Sequence, residues 1–158
     1  MSNVRYTEPK TVLSALQVVG DITLVATAQQ FGGFTLAELD KALLPYVLKS
    51  WKTAHDKYIE LGLSEERAAE QSDKDVTREL EQGFQSLELK LNTVPCSRGD
   101  FAFTTISFGQ WNLKDYAPFE RKWLSKINTV MLQVRRNGHG PHHKPCLLYT
   151  SDAADDMQ

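Results

Sequence analysis

Residues 101–108, with the sequence FAFTTISF, decide the fold class of this chain. Aromatic and β-branched residues dominate the stretch, and both types favour β-strands. It is the only good strand candidate that the sequence offers, and a lone strand cannot satisfy its own backbone hydrogen bonds. We therefore expect a mostly helical α/β chain that is incomplete on its own and needs further strands to complete its sheet.

The segment from residue 11 to residue 31 predicts a first helix. Its apolar residues recur at roughly helical spacing and form one broad stripe: Val12, Leu13, Leu16, Val19, Ile22, Leu24 and Val25. A stripe of this width is typical of a helix that is largely buried. Gly32 and Gly33 are expected to end it, because glycine readily adopts the left-handed conformation found at helix ends.

A second helix is predicted over residues 35–61. Thr35 and Glu38 have the spacing of a capping box, in which each side chain bonds a free backbone N–H group at the helix start. Pro45 removes one helical hydrogen bond, so we expect a kink near Leu44.

The third and fourth helices are predicted over residues 64–91 and 118–136. In the third, which Ser64 can cap, apolar residues three or four positions apart form one stripe: Val76, Leu80, Phe84, Leu87 and Leu91. The fourth begins with Pro118, which suits a first helical turn, and is terminated at Gly138. Its apolar stripe is Phe119, Trp123, Ile127, Val130 and Val134.

Composition and charge narrow the functional classes. The 158 residues are 41% hydrophobic and 24% charged, as in a globular protein with a sizeable core. We expect no transmembrane helix and no signal peptide, and hence a cytoplasmic protein. The net charge of −2 provides no basic field for nucleic acid. Cys96 and Cys146 are too few for a disulfide framework or a four-ligand zinc site.

Three motifs, taken together, resemble the catalytic subunit of anaerobic (class III) ribonucleoside-triphosphate reductases. The first lies within residues 11–47 and combines the first helix with FGG after it and LPYV further on. The second lies within residues 81–99, where EQGFQSLE leads into LNT and then CSRG. The third, FTTISFG at 103–109, is similar to a strand of the family's barrel. Each motif is weak alone, but their order and spacing are fairly specific.

The resemblance implies a ten-stranded α/β barrel of the glycyl-radical enzyme type, of which this chain would hold one strand and its flanking helices. The family reduces ribonucleoside triphosphates to deoxyribonucleotides. A glycyl radical, installed by a radical-SAM activating enzyme, generates a cysteine thiyl radical on the enzyme. Formate as reductant, a structural zinc ion, nucleotide effectors and a homodimer also follow from the resemblance. The catalytic cysteines, the radical glycine and the zinc ligands would lie outside this chain, so we expect the isolated chain to be inactive and to hold no metal.

Ser97 and Arg98 are the candidate substrate-adjacent residues, because they match the family's Ser-Arg pair before a barrel strand. Arginine can bind a phosphate or carboxylate in bidentate fashion, although local pairing of Arg98 at the barrel rim is the alternative. Cys96 would need a neighbouring histidine or a helix N-terminus to act as a nucleophile. It matches no catalytic cysteine of the family, so an ordinary loop role is favoured. The resemblance does not indicate which individual residues of this chain would contact a nucleotide effector.

The C-terminal part carries two features of another kind. His139, His142 and His143 form a cluster, but no native cysteine or carboxylate lies close in sequence, which favours an exposed loop over a zinc site. Residues 146–158, which begin CLLYTSDAAD, look like a translated sequencing adapter, and we predict a non-native tail. The alternative to an enzyme fragment is a stand-alone helical interaction or effector-binding module, against which the unpaired strand argues.

Overall fold

The computed structural model describes residues 7–30, 32–95, 99 and 101–138. The described part contains four long helices, one short 3-10 helix and two short strands. In chain order they are α1 (Val12–Gln29), β1 (Phe34–Leu36), α2 (Leu39–Glu60), α3 (Glu65–Thr93), β2 (Thr104–Ile106), the 3-10 helix (Leu113–Asp115) and α4 (Pro118–Asn137). The chain is thus mostly helical, with a small sheet.

The two strands pair with each other in parallel. Phe34 lies opposite Thr104, and the register continues to Leu36 opposite Ile106. Parallel strands need a long crossover connection, and α2 and α3 provide it here. The expectation that the strand at 101–108 has no partner within this chain is therefore wrong, and its paired part is shorter than predicted, at Thr104–Ile106.

The start of the second helix also differs from the prediction. Thr35 lies in β1, so it does not cap α2. Glu38 occupies the N-cap position in the left-handed conformation, with a φ of 50°, and its side chain makes no capping bond. The capping-box prediction is wrong because a three-residue strand occupies the position where the box would begin. Pro45 lies inside α2, which continues past it to Glu60.

Helices α3 and α4 bury the stripes predicted for them. All five predicted α3 residues are in the core: Val76, Leu80, Phe84, Leu87 and Leu91. On α4, Trp123, Ile127, Val130 and Val134 are buried, whereas Phe119 remains 38% exposed. Full burial of each large apolar side chain contributes about 1.5–3 kcal/mol. Helix α3 packs against the other three helices more extensively than any other helix does, so it is the central helix of the described core.

Helix α1 buries only one side, which corrects the prediction of broad burial. Val12 and Leu16 are in the core, but Ile22 is 53% exposed and Val25 is 60% exposed. The helix is also long and apolar enough to cross a membrane by length and composition alone. Because the core helix of a soluble protein passes the same test, this one helix is weak evidence for a membrane span.

The helix ends are determined by local backbone geometry. Ser64 is the N-cap residue of α3, in an extended conformation, although its side chain makes no capping hydrogen bond. Gly138 ends α4 with a φ of 73°, as predicted. Helix α1 ends at Gln29, where the next residue, Gln30, is already extended. It therefore ends before Gly32 and Gly33, and a left-handed glycine is not what stops it.

Candidate functional site

The carboxyl ends of β1 and β2 are the place in this fold where a ligand site is expected. In α/β proteins, ligands bind outside the carboxyl ends of parallel strands, where loops lead away from the sheet. Strand β1 leads through Glu38 into α2, and β2 leads into the segment Ser107–Gly109. We refer to Ser107–Gly109 as the β2 exit segment.

Ser107 joins the two strand ends. Its N–H group donates to the Leu36 carbonyl at 3.0 Å, and its own carbonyl accepts from the Leu39 N–H group at 3.1 Å. Its hydroxyl oxygen accepts from the Glu38 N–H group at 2.8 Å. Free N–H groups at a helix start often bind anions. At the start of α2, the Glu38 and Leu39 groups are already bonded to Ser107, so those two are not available to a ligand.

Asp40 ties the β2 exit segment to two helices. It is a carboxylate in the first turn of α2 and is only 1% exposed. Oδ2 accepts from the Gly109 N–H group at 2.8 Å and from the Asn128 amide of α4 at 3.0 Å. Oδ1 accepts from the Lys41 N–H group at 3.0 Å. These three donors and the positive end of the helix dipole compensate the buried charge.

Glu38 is held in a strained conformation beside this network. A φ of 50° is unfavourable for a residue with a side chain. The Glu38 carboxylate accepts a hydrogen bond from the Lys41 ammonium at 2.7 Å. That bond, aided by the charges of Glu38, Tyr116 and Asp40 and opposed by desolvation, raises the pKa of Lys41 above its usual value.

Two aromatic rings lie close in sequence to the exit segment. Trp111 and Tyr116 meet edge to face, with ring centroids 6.3 Å apart, and both pack against the core. The indole N–H group of Trp111 is buried without a hydrogen-bond partner. The rings therefore anchor the chain after the β2 exit segment to the helical core.

A second group of side chains joins α2, α3 and α4 on another part of the surface. The Trp51 indole donates to Asp73 at 2.7 Å, and Lys122 forms an ion pair with the same carboxylate. The Trp51 ring stacks on His55 at 4.8 Å between centroids. Nε2 of His55 lies 3.1 Å from a Glu65 carboxylate oxygen but is not aligned for a hydrogen bond. These contacts connect α2, α3 and α4.

The site residues predicted from the sequence are not described by the structure. Cys96, Ser97 and Arg98 fall in the connection between α3 and β2, where only residues 94, 95, 99 and 101–103 are described. His139, His142 and His143 also fall outside the described ranges, as does the predicted tail at 146–158. All of these stay predictions. Within the described residues there is no group of three His, Cys, Asp or Glu side chains that could hold a metal ion.

Sequence reasoning missed the residues that build this site. The bond between Glu38 and Ser107 joins residues 69 positions apart, as does the bond between Asp40 and Gly109. The bond between Asp40 and Asn128 joins residues 88 positions apart. The one local signal was an aspartate in the first turn of a helix, a position that the helix dipole favours. That signal does not reveal the distant Gly109 and Asn128 partners.

Comparison with known proteins identifies the family. The sequence profile described as "Anaerobic ribonucleoside-triphosphate reductase" matches residues 1–151. The reductase of that name from Enterobacteria phage T4 is 32% identical over 115 residues, covering 69% of this chain and 18% of the phage protein. Those from Haemophilus influenzae and Escherichia coli K12 are each 28% identical, over 163 and 149 residues. They match 95% and 94% of this chain, but only 20% and 19% of their own lengths.

Parallel strands joined by crossover helices, with a polar network at their carboxyl ends, define an α/β segment of the kind that carries ligand sites. The chain belongs to the anaerobic ribonucleoside-triphosphate reductase family, since the family profile matches nearly its whole length. It spans about a fifth of the length of the curated relatives it matches. The match reaches residue 151 and so includes the first six residues of the predicted tail.

Proposed function

We propose that this chain is a segment of the catalytic subunit of an anaerobic ribonucleotide reductase. The complete enzyme converts ribonucleoside triphosphates into deoxyribonucleotides by glycyl and thiyl radical chemistry. The observation that carries the proposal is a family match over residues 1–151 that covers only about a fifth of each relative. A segment of that size provides part of a scaffold, so we infer that the isolated chain does not turn over substrate.

Exposed aromatic residues beside the small sheet support a larger barrel. Ala102 and Ile106 pack against the core, whereas Phe101 and Phe103, which precede β2, are 55% and 71% exposed. Exposed apolar surface marks a place where further structure packs. Additional strands of a ten-stranded α/β barrel would cover it.

The radical and metal chemistry is assigned to other parts of the complete protein. Zinc binding needs three or four fixed ligands, and the described residues hold no such cluster. The described residues therefore do not fit the structural zinc ion. What the described residues do is hold the β2 exit segment in place and pack the helical side of the barrel.

The partners of the complete enzyme are proposed on the same basis. They are a ribonucleoside triphosphate substrate, nucleotide effectors, formate as reductant, a radical-SAM activating enzyme and a second copy of the subunit, all in the cytoplasm. The exposed side of α1 supports the homodimer, because Ile22 and Val25 lie three positions apart on one helix face without a covering element in the described structure.

The first experiment sequences the source DNA again across the codons for Pro145 and Cys146, with a sequencing library prepared by a different chemistry. The complete gene product is then assayed for ribonucleoside triphosphate reduction under anaerobic conditions with formate and its activating enzyme. The reductase assignment is supported if the reading frame continues for several hundred residues and the complete gene product forms deoxyribonucleotides. A stop codon soon after the same CLLYTS sequence, together with a soluble chain that unfolds cooperatively, supports a stand-alone helical module instead.

A further inference from the structure

We propose that Asp40 is a positioning residue that fixes the β2 exit segment as a wall of the substrate site. The proposal rests on the proposed reductase function. Its basis is geometric: one buried carboxylate connects the start of α2, the segment that leaves the carboxyl end of β2, and helix α4. The connection to Gly109 is the part that bears on substrate.

The environment of Asp40 makes its acceptor atoms necessary. The side chain is 1% exposed, so water does not compete for its acceptor atoms. A buried carboxylate needs hydrogen-bond donors to compensate its desolvation. Substitution by alanine removes the acceptors of Gly109, Asn128 and Lys41 together.

Gly109 needs an anchor because of its own geometry. Its φ of 77° lies in the left-handed region, which favours glycine. The residue itself is exposed, and a side chain added there would meet nothing within 4 Å, so packing does not hold it. The hydrogen bond from its N–H group to Asp40 is therefore the contact that fixes the path of the exit segment beyond Ser107.

Conservative substitutions can separate positioning from general stability. In Asp40→Asn, the single amide oxygen can take the place of Oδ2 and accept from both Gly109 and Asn128, so the exit segment stays anchored. In Asn128→Ala, the α4 contact is lost while the Gly109 bond to Asp40 remains. Only Asp40→Ala releases Gly109. The exposed Asp56→Asn provides a matched control for loss of a carboxylate on the same helix.

The test measures kcat and KM separately for the complete reductase and these four variants, normalised to the folded fraction from circular dichroism. We expect kcat/KM to fall about tenfold or more in Asp40→Ala, with a raised KM, because misplaced groups at a substrate site cost catalysis. Asp40→Asn and Asp56→Asn should stay within about threefold of the parent enzyme, and Asn128→Ala should lose less than Asp40→Ala. If Asp40→Ala does not fold, Asp40→Glu replaces it, because that variant keeps the carboxylate but displaces the oxygen that accepts from Gly109.

The outcomes are distinguishable. Equal losses in Asp40→Ala and Asn128→Ala, or a loss explained entirely by the folded fraction, would overturn the positioning role while leaving the reductase function intact. An unsubstituted complete protein that forms no deoxyribonucleotide overturns the proposed function and this inference with it.

Discussion

Gly83 of α3 lies directly against Leu16 of α1. A Cβ atom built on Gly83 would fall 2.4 Å from Leu16 Cδ1, a distance that real Cβ atoms essentially never show, and 3.2 Å from Leu16 Cβ. Both helices are closely packed at this point, since Leu16 is fully buried. The absence of a side chain at residue 83 therefore sets how near α1 can approach the central helix.

Gly83→Ala should destabilise the chain by about 1–3 kcal/mol, because overpacking forces the two helices apart. Gly20→Ala is the matched control on α1. There the new Cβ would meet the flexible Lys90 side chain at 3.0 Å, which can move. Alanine is also favoured over glycine in a helix by about 1 kcal/mol, so Gly20→Ala should be neutral or stabilising. Urea unfolding followed by circular dichroism at low protein concentration measures both, and equal effects would contradict the close-contact interpretation.

Glu88 and Arg135 form a buried ion pair between α3 and α4. Glu88 is 4% exposed, and its carboxylate accepts a hydrogen bond from the Arg135 guanidinium. Arg135→Met leaves that carboxylate buried without its cation, which should cost about 3 kcal/mol. Replacing both residues with methionine should recover most of the loss, since an apolar pair needs no charge compensation.

The same unfolding measurement tests this pair. Arg136→Met is the control, because Arg136 is exposed on the same helix. A loss in Arg136→Met as large as that in Arg135→Met would show that the pair itself is not the cause.

The long helices of this chain could be predicted because their apolar residues repeat at helical spacing. The α3 stripe from Val76 to Leu91 is buried at every predicted position. The exposed side of α1 could not be predicted, since apolar residues surround that helix. The spacing alone does not show which side of α1 is buried. Leu16 packs against Gly83, whereas Ile22 and Val25 face outward.

The sheet and the candidate site depend on contacts that no local pattern encodes. Strand β1 has only three residues, and Thr35 within it imitates a helix cap in the sequence. Its strand conformation comes from pairing with Thr104–Ile106, about 70 positions away. In the same way, Asp40 gains its role only when folding brings Gly109 and Asn128 to it.

Tyr58 should ionise at a higher pH than an ordinary tyrosine. Its hydroxyl donates to the Asp75 carboxylate at 2.5 Å. That bond, with desolvation and the negative charge of Asp75, raises the pKa of Tyr58 above the ordinary value of 10.0. The folded chain thus holds the proton more tightly than the unfolded chain. The resulting stabilisation is complete below pH 10 and is lost as the pH rises through the raised pKa.

Absorbance titration of tyrosinate checks this assignment. Tyr58→Phe should remove the transition that lies above the ordinary tyrosine pKa. Asp75→Asn should move that transition towards the ordinary value. A transition above the ordinary pKa that survives in Tyr58→Phe would contradict the assignment.

Glu38→Gly should make the chain more stable than Glu38→Ala by about 1 kcal/mol, because a φ of 50° is strained for any residue with a Cβ atom. Both substitutions lose the exposed ion pair with Lys41 equally, so the difference isolates the backbone conformation. The comparison uses the free energy of unfolding in urea. Equal stabilities would mean that residue 38 leaves the left-handed conformation when its contacts are removed.

Ile22→Glu should convert the complete reductase from a dimer into a monomer. Ile22 is 53% exposed beside Val25 on α1, and a charge placed within an apolar interface is left without hydration. Gln17→Glu, at an exposed polar position of the same helix, is the control and should remain dimeric. Sedimentation velocity over a range of protein concentrations measures both. If another part of the same subunit covers α1, Ile22→Glu will instead lower stability and leave the oligomeric state unchanged, which excludes this face as the dimer contact.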